Sequence, residues 1–379
     1  MSEEGLRRWR LVLGSEEADG TGVALDDADL AVDRALGALY DPGGRKAGLG
    51  ASAPSVARWL GDIRDLFPAP VVRVLQRDAL SRLDLRKLLV EPELLEAVVP
   101  DVHLVAALVS LAGVMPARAR EAARRVVRRV TEALVARLEQ PMRQAVTGSL
   151  LRGARTRRPR AGDLDWERTI RANLKHYQPP WKTVLPVVRI GHGRRRNALR
   201  DVILCVDQSG SMAPSVVYAG IFAAVLAALP AVSTRLVAFD VNVVDLTAAL
   251  ADPVDVLFGV QLGGGTDINR ALAYCQTLVT RPRETVLVLI SDLFEGGDRE
   301  NLLRRVGAIA RSGVRMIALL ALSDEGAPAY DHELAAELAA RDVPAFAVTP
   351  DLFPELMSAA LAGRDISDWA AGQGIVTAR

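Results

Sequence analysis

The chain has 379 residues, half of them hydrophobic and a quarter charged, with a formal net charge of +1. That balance fits a soluble globular protein of about two domains, and the charged stretch Met1 to Arg10 with no apolar run behind it does not look like a secretory signal peptide. The charge is unevenly spread: residues 1–151 hold 21 Lys+Arg against 21 Asp+Glu, residues 152–200 hold 14 against 3, and residues 201–379 hold 12 against 22.

In chain order, residues 1–25 are expected to be flexible, the part from 11 to 25 being glycine-rich and acidic. Residues 26–151 read as an all-α domain with helices over Pro54 to Leu66, Pro68 to Leu83, Pro92 to Val98, Asp101 to Leu111 and Pro116 to Glu139. Several open on proline, which suits a first turn because the N–H it lacks would have no intrahelical partner there. In the longest, Ala123, Val127, Val130, Leu134 and Leu138 form an apolar stripe flanked by Arg124, Arg125, Arg128 and Arg129. The stripe reads as the domain's own core under a solvated arginine face, with a partner-binding helix as the alternative.

Residues 152–197 read as a basic connector. Arg152, Arg155, Arg157, Arg158 and Arg160, then Arg194, Arg195 and Arg196, are interleaved with Trp166, Tyr177 and Trp181. Arginine mixed with aromatics is one signature of nucleic-acid binding. The preferred reading is a linker whose positive charge complements the acidic segment after it, or an acidic partner.

From residue 198 to 379 the pattern changes to alternation. Val202 to Val206, Thr234 to Phe239, Val243 to Leu246, Thr285 to Ile290, Val314 to Leu322 and Val343 to Val348 read as strands. Val216 to Leu229, Ile268 to Val279, Arg299 to Arg311, His332 to Ala340 and Pro354 to Leu361 read as the helices between and after them. Strands alternating with helices imply a doubly wound, mainly parallel α/β sheet. The Val243 strand follows its neighbour too closely for a crossover helix and is expected to be an antiparallel edge. The uncharged stretch Gln208 to Thr234 is long enough to span a membrane, but it opens on a serine turn, contains Pro214 and Pro230 and lies between two strands, so a buried central helix is expected. Cys205 and Cys275 lack paired metal spacing and read as reduced core thiols of a cytoplasmic protein.

Three segments carry chemistry. Asp207-Gln208-Ser209-Gly210-Ser211 leaves the first apolar strand, Gly263-Gly264-Gly265-Thr266-Asp267 is a glycine loop, and Ser291-Asp292 follows the strand ending at Ile290. Open α/β sheets hold ligands just beyond the carboxyl ends of their strands. Carboxylate and hydroxyl oxygens without Cys or His suit a hard cation such as Mg²⁺. Taken alone, Asp207 and Ser209 would serve equally as helix caps.

At these residues the chain resembles the von Willebrand factor A (VWA) domain with its metal-ion-dependent adhesion site, in the form found in the bacterial CoxE-like branch, over about residues 198 to 362. The resemblance implies a Rossmann-like fold and a site for Mg²⁺ or Mn²⁺ made by Asp207, Ser209, Ser211, Thr266 and Asp292. The serines and the threonine would contact the metal, the aspartates would bind directly or through water, and a partner's Glu or Asp would complete the set. It further implies a cytoplasmic protein-binding adaptor that works with a MoxR-type AAA+ ATPase on a client protein. Enzyme readings fail on inventory: no glycine precedes any of Lys46, Lys87, Lys175 and Lys182, so there is no P-loop, and Ser209 has no base in its own loop. The second reading is an RNA-binding protein like the Ro family, though in that family the helical part carries the basic surface and here residues 1–151 are neutral.

Overall fold

The computed structural model describes residues 3–13, 23–40, 53–82, 100–152, 155–156, 164–192, 200–260, 264–323 and 329–377. The chain divides into two compact units, 1–130 and 131–379, and the division falls inside one long helix, Ala117–Arg152.

The first unit is helical, with Glu3–Leu13, Asp27–Tyr40, Ala53–Leu66, Ala69–Arg82 and Val102–Leu111 ahead of that long helix. Within residues 1–25, expected to be flexible, Glu3–Leu13 is helical. Arg10 Nη1 donates to Asp33 Oδ1 at 3.0 Å and Arg7 Nε reaches Asp29 Oδ2 at 3.1 Å, so charge pairing holds a segment whose own apolar content is low. Trp59 Nε1 donates to the Ala35 carbonyl at 2.9 Å, tying the second and third helices through a buried indole. Asp101 caps Val102–Leu111 by accepting from Leu104 N at 2.7 Å. The arginine-flanked stripe is core as expected: Ala123, Val127 and Val130 are buried. The segment Pro92 to Val98 lies outside the described residues.

The long helix was expected to stop at Glu139 and instead continues through Pro141 to Arg152. Proline in a helix interior removes a hydrogen bond and crowds the preceding turn, but here Leu138, Met142 and Val146 carry the apolar stripe past it at four-residue spacing, and all three are buried. Burial outweighs the local break.

In the second unit the described part of the basic segment is folded. A short helix, Trp166–Ala172, is capped by Asp165. Asn173 is fully buried and spends its amide on the backbone: Nδ2 donates to the Thr169 and Val188 carbonyls at 2.7 and 2.6 Å, and Oδ1 accepts from Val188 N at 2.9 Å.

The remainder is a six-stranded sheet. Its strands are β1 (Arg200–Asp207), β2 (Val232–Phe239), β3 (Val243–Asp245), β4 (Thr285–Ile290), β5 (Arg315–Leu322) and β6 (Ala345–Val348), in the order β6-β5-β4-β1-β2-β3. All neighbours are parallel except β2 and β3, so the edge strand runs antiparallel as the short connection requires. β4 is buried along its whole length and β1 from Val202 onward, because helices cover both faces of a parallel sheet. One helix, Ala213–Ala227, has twelve of its fifteen residues buried. By length and composition the stretch Gly210–Ala227 could cross a membrane; in the fold it packs along the central strands as a core helix. Gly220 lets it approach its neighbour Pro253–Gly259, since a Cβ there would sit 3.2 Å from Val256 Cγ1.

Candidate functional site

The strand order turns round at β1. From β1 the chain runs outward to β2 on one side and later to β4 on the other, which makes the carboxyl ends of β1 and β4 a topological switch point, the place where such sheets form a crevice. The registers put Val206 beside Ile290, so the next residue of each strand, Asp207 and Ser291, emerges at the same level.

Asp207 is fully buried, and its two oxygens are held from two loops. Oδ1 accepts from Ser209 N at 2.8 Å and Oδ2 accepts from Ser291 Oγ at 2.7 Å. The first bond folds the loop after β1 back on its own strand end, the usual geometry of an aspartate at a turn. It brings Ser209 and Ser211 to the surface side by side, with their hydroxyl oxygens 3.2 Å apart. Ser211 Oγ then donates to Asp292 Oδ2 at 2.6 Å, closing the cluster from the loop after β4. Side chains therefore grade from buried Asp207 and Asp292, through half-buried Ser209, to exposed Ser211.

Burial pushes the Asp207 carboxyl above its ordinary value; the bonds from Ser209 and Ser291 pull it back, and the charge of Asp292 pushes it further up. Two carboxylates thus lie among the hydroxyls of Ser209, Ser211 and Ser291. Such a set is all hard oxygen, and a divalent cation would relieve the repulsion between its two acids.

Four of the five expected residues, Asp207, Ser209, Ser211 and Asp292, are joined by hydrogen bonds within the cluster. Thr266 sits on the adjacent loop, buried, and among the described residues no hydrogen bond engages its hydroxyl. Its backbone is nevertheless fixed to the third loop: Gly296 N donates to the Thr266 carbonyl at 2.8 Å. A Cβ at Gly296 would lie 2.9 Å from that oxygen, so the close approach needs glycine. Gly263, the first residue of the glycine loop, lies outside the described residues.

Two residues outside the expected ligand set also contribute. Ser291 positions Asp207 and also accepts from Leu293 N at 3.0 Å, where Leu293 takes a left-handed backbone with φ of 66°. Glu295 Oε2 accepts from Ile268 N at 2.7 Å and so supports the helix that starts beyond Thr266. A serine next to an aspartate gives no hint of which of the two faces inward, and a glutamate that caps a helix twenty-seven residues away leaves no local pattern.

Comparison with known proteins places the chain. The family model described as "VWA domain containing CoxE-like protein" matches residues 134–357. The uncharacterised protein YehP of Escherichia coli (strain K12) is 39% identical over 354 residues, covering 91% of this chain and 93% of that one. Among solved structures, an aerotolerance-related membrane protein from Bacteroides fragilis NCTC 9343 aligns at 14% identity with a TM-score of 0.34, over 45% of this chain and 99% of that one. A von Willebrand factor type A protein from Catenulispora acidiphila aligns at 15% identity with a TM-score of 0.33, over 43% of each chain. On the strength of the family match and the full-length relative, the chain belongs to the VWA-domain-containing CoxE-like proteins.

Proposed function

We propose that the oxygen cluster is a metal-ion-dependent adhesion site for Mg²⁺ or Mn²⁺, and that the protein is an intracellular adaptor which docks a partner's Glu or Asp there. The observation that carries this reading is the convergence of Asp207, Ser209, Ser211 and Asp292 into one hydrogen-bonded group at the sheet's switch point. Ser209, Ser211 and Thr266 would supply neutral oxygens, Asp207 and Asp292 the negative charge. Two carboxylates only balance a dication, so an outside carboxylate remains attractive to it. The partner class we favour is a MoxR-type AAA+ ATPase acting on a client protein, which follows from the CoxE-like character of the chain. We read the protein as a binding protein rather than an enzyme, because none of the three loop segments that form the cluster carries a histidine to act as its base.

The test is titration calorimetry of the full chain with MgCl₂ and MnCl₂. Replacing Asp207 by Ala would strand the Ser209 amide and the Ser291 hydroxyl around a buried gap, so the informative variant is Ser209→Ala with Ser211→Ala. It is expected to keep the fold and lose metal affinity at least tenfold; unchanged affinity would remove the metal reading. For the partner, losing one side of a desolvated charged contact costs about 2–5 kcal/mol, roughly thirtyfold or more in affinity. EDTA should therefore dissociate a purified AAA+ complex, and a complex that survives chelation would make the metal structural instead.

A further inference from the structure

A second opening lies at the other end of the sheet, at the amino ends of β5 and β6. It is a groove of about 810 Å³, within the range of small-molecule sites. Arg311, Arg315, Arg341 and Arg364 line it, against the acids Asp342 and Asp365. An arginine excess is out of keeping with its surroundings, because residues 201–379 carry ten more acids than bases.

Two of the arginines have local work. Arg341 Nη1 donates to the Glu337 carbonyl at 2.6 Å, and Arg315 Nη1 donates to the Ala360 carbonyl, so each is engaged with a carbonyl near a helix end. The other two do not. Among the described residues the side chains of Arg311 and Arg364 have no hydrogen bond or ion pair. None of the four guanidiniums is salt-bridged to Asp342 or Asp365 among the described residues. Arg315 is half-buried; burial and the nearby charge of Arg200 push its guanidinium below the ordinary value, only partly offset by the charge of Asp365, so an added anion would be favourable there. Gly307, Gly313 and Gly363 form part of the wall; a Cβ at Gly307 would lie 3.7 Å from Arg311 Nη1, and one at Gly363 would lie 3.7 Å from Arg315 Nη2. Val314, Met316 and Ile366 add apolar surface beside the charge.

We propose that this groove binds a small phosphate-bearing molecule, with Arg311 and Arg364 as its principal phosphate contacts and Arg315 beneath them. Guanidinium forks match phosphate oxygens in a bidentate way, and a concave groove of this size suits a small molecule better than an extended chain. The site is separate from the oxygen cluster and needs no metal.

Pyrophosphate is the probe, titrated into the full chain by calorimetry in metal-free chloride buffer. Omitting divalent ions keeps the result independent of the adhesion-site reading. Saturable binding is expected, weakening as salt rises, and Arg311→Gln with Arg364→Gln should reduce affinity at least tenfold without moving the melting temperature. Arg311→Lys with Arg364→Lys should recover part of it, since charge returns without the fork. Absence of heat at millimolar pyrophosphate, or equal binding by the glutamine variant, would overturn the proposal. So would tight binding of a hexaglutamate peptide where pyrophosphate binds weakly, because that would make the groove a protein-docking surface.

Discussion

Single residues in this protein act through the loops they tie together. Glu295 is an example: Oε2 accepts the Ile268 amide at the start of a helix, and burial pushes the carboxyl up, while the backbone bonds from Ile268, Asn269 and Gly297 oppose that and the charge of Asp267 adds to it. The net shift is upward, so the folded state holds the proton more tightly than the unfolded chain does. The stability linked to this group is therefore full below the ordinary carboxylate range and declines as pH rises through that range to the raised value. Glu295→Gln keeps an oxygen for Ile268 N and removes the titration. Its melting temperature relative to the parent should rise as pH is raised from about 4, near the reference carboxylate values, upward. Parallel melting profiles for the two proteins over that range would show that Glu295 does not titrate in this way. Asp207 was legible because its local context, a strand end followed by two serines, is itself a pattern, and Asp292 because it follows the end of a second apolar strand. Glu295 was not, because its role exists only once residues 266–268 are folded against it.

Elements were legible where burial imposed a period. The strand Thr285–Ile290 matches its expected limits, and most of the other expected strands and helices in the sheet unit lie within two or three residues of theirs. The long helix ran past its expected end because the apolar stripe resumes after Pro141, which only packing reveals. Short helices escaped notice: Trp166–Ala172, Pro253–Gly259 and Ile366–Gly372 have seven residues each, too few for an amphipathic stripe to show. Asp252 before Pro253 was a start signal without a visible helix to follow it. Which backbone groups hold the loops together was out of reach of sequence, and it is testable. Gly296→Ala would push a methyl against the Thr266 carbonyl at 2.9 Å, whereas Gly210→Ala meets nothing within 4 Å. Overpacking of this kind costs about 1–3 kcal/mol, which for a unit of this size lowers the melting temperature by roughly 2–12 °C. Thermal melts of the two variants should differ accordingly, with Gly210→Ala close to the parent. Equal melting of both would mean that the second and third loops are not held together as described.

At the scale of the whole chain the open question is the use of the basic segment, where residues 152–200 carry eleven more bases than acids. Part of that charge is engaged locally: Arg168 lies 3.6 Å from Asp165, and Arg171 lies 2.9 Å from Glu167. These pairs are exposed and individually weak, and Arg157, Arg158, Arg160 and Arg194 to Arg196 lie outside the described residues. Two kinds of partner fit the segment. Nucleic acid would use the arginines as phosphate contacts, with Trp166, Tyr177 and Trp181, all exposed, as stacking surfaces. An acidic protein surface would use the same charges without stacking, and residues 201–379, with a net of −10, already offer one on the same chain at high effective concentration. We favour the second. Fluorescence anisotropy of a mixed-sequence single-stranded RNA across a salt series separates them, because each phosphate neutralised contributes about −0.7 to the log–log slope. The expected result is no sub-micromolar binding near 150 mM salt, a concentration at which charges separated by more than about 8 Å are largely screened. Sub-micromolar affinity there, with a slope of several units and loss on replacing Arg155, Arg157, Arg158, Arg160 and Arg194 to Arg196, would reverse the preference. The fold and family would stand unchanged, and the chain would then have to be understood as an RNA-binding protein of the Ro-like kind.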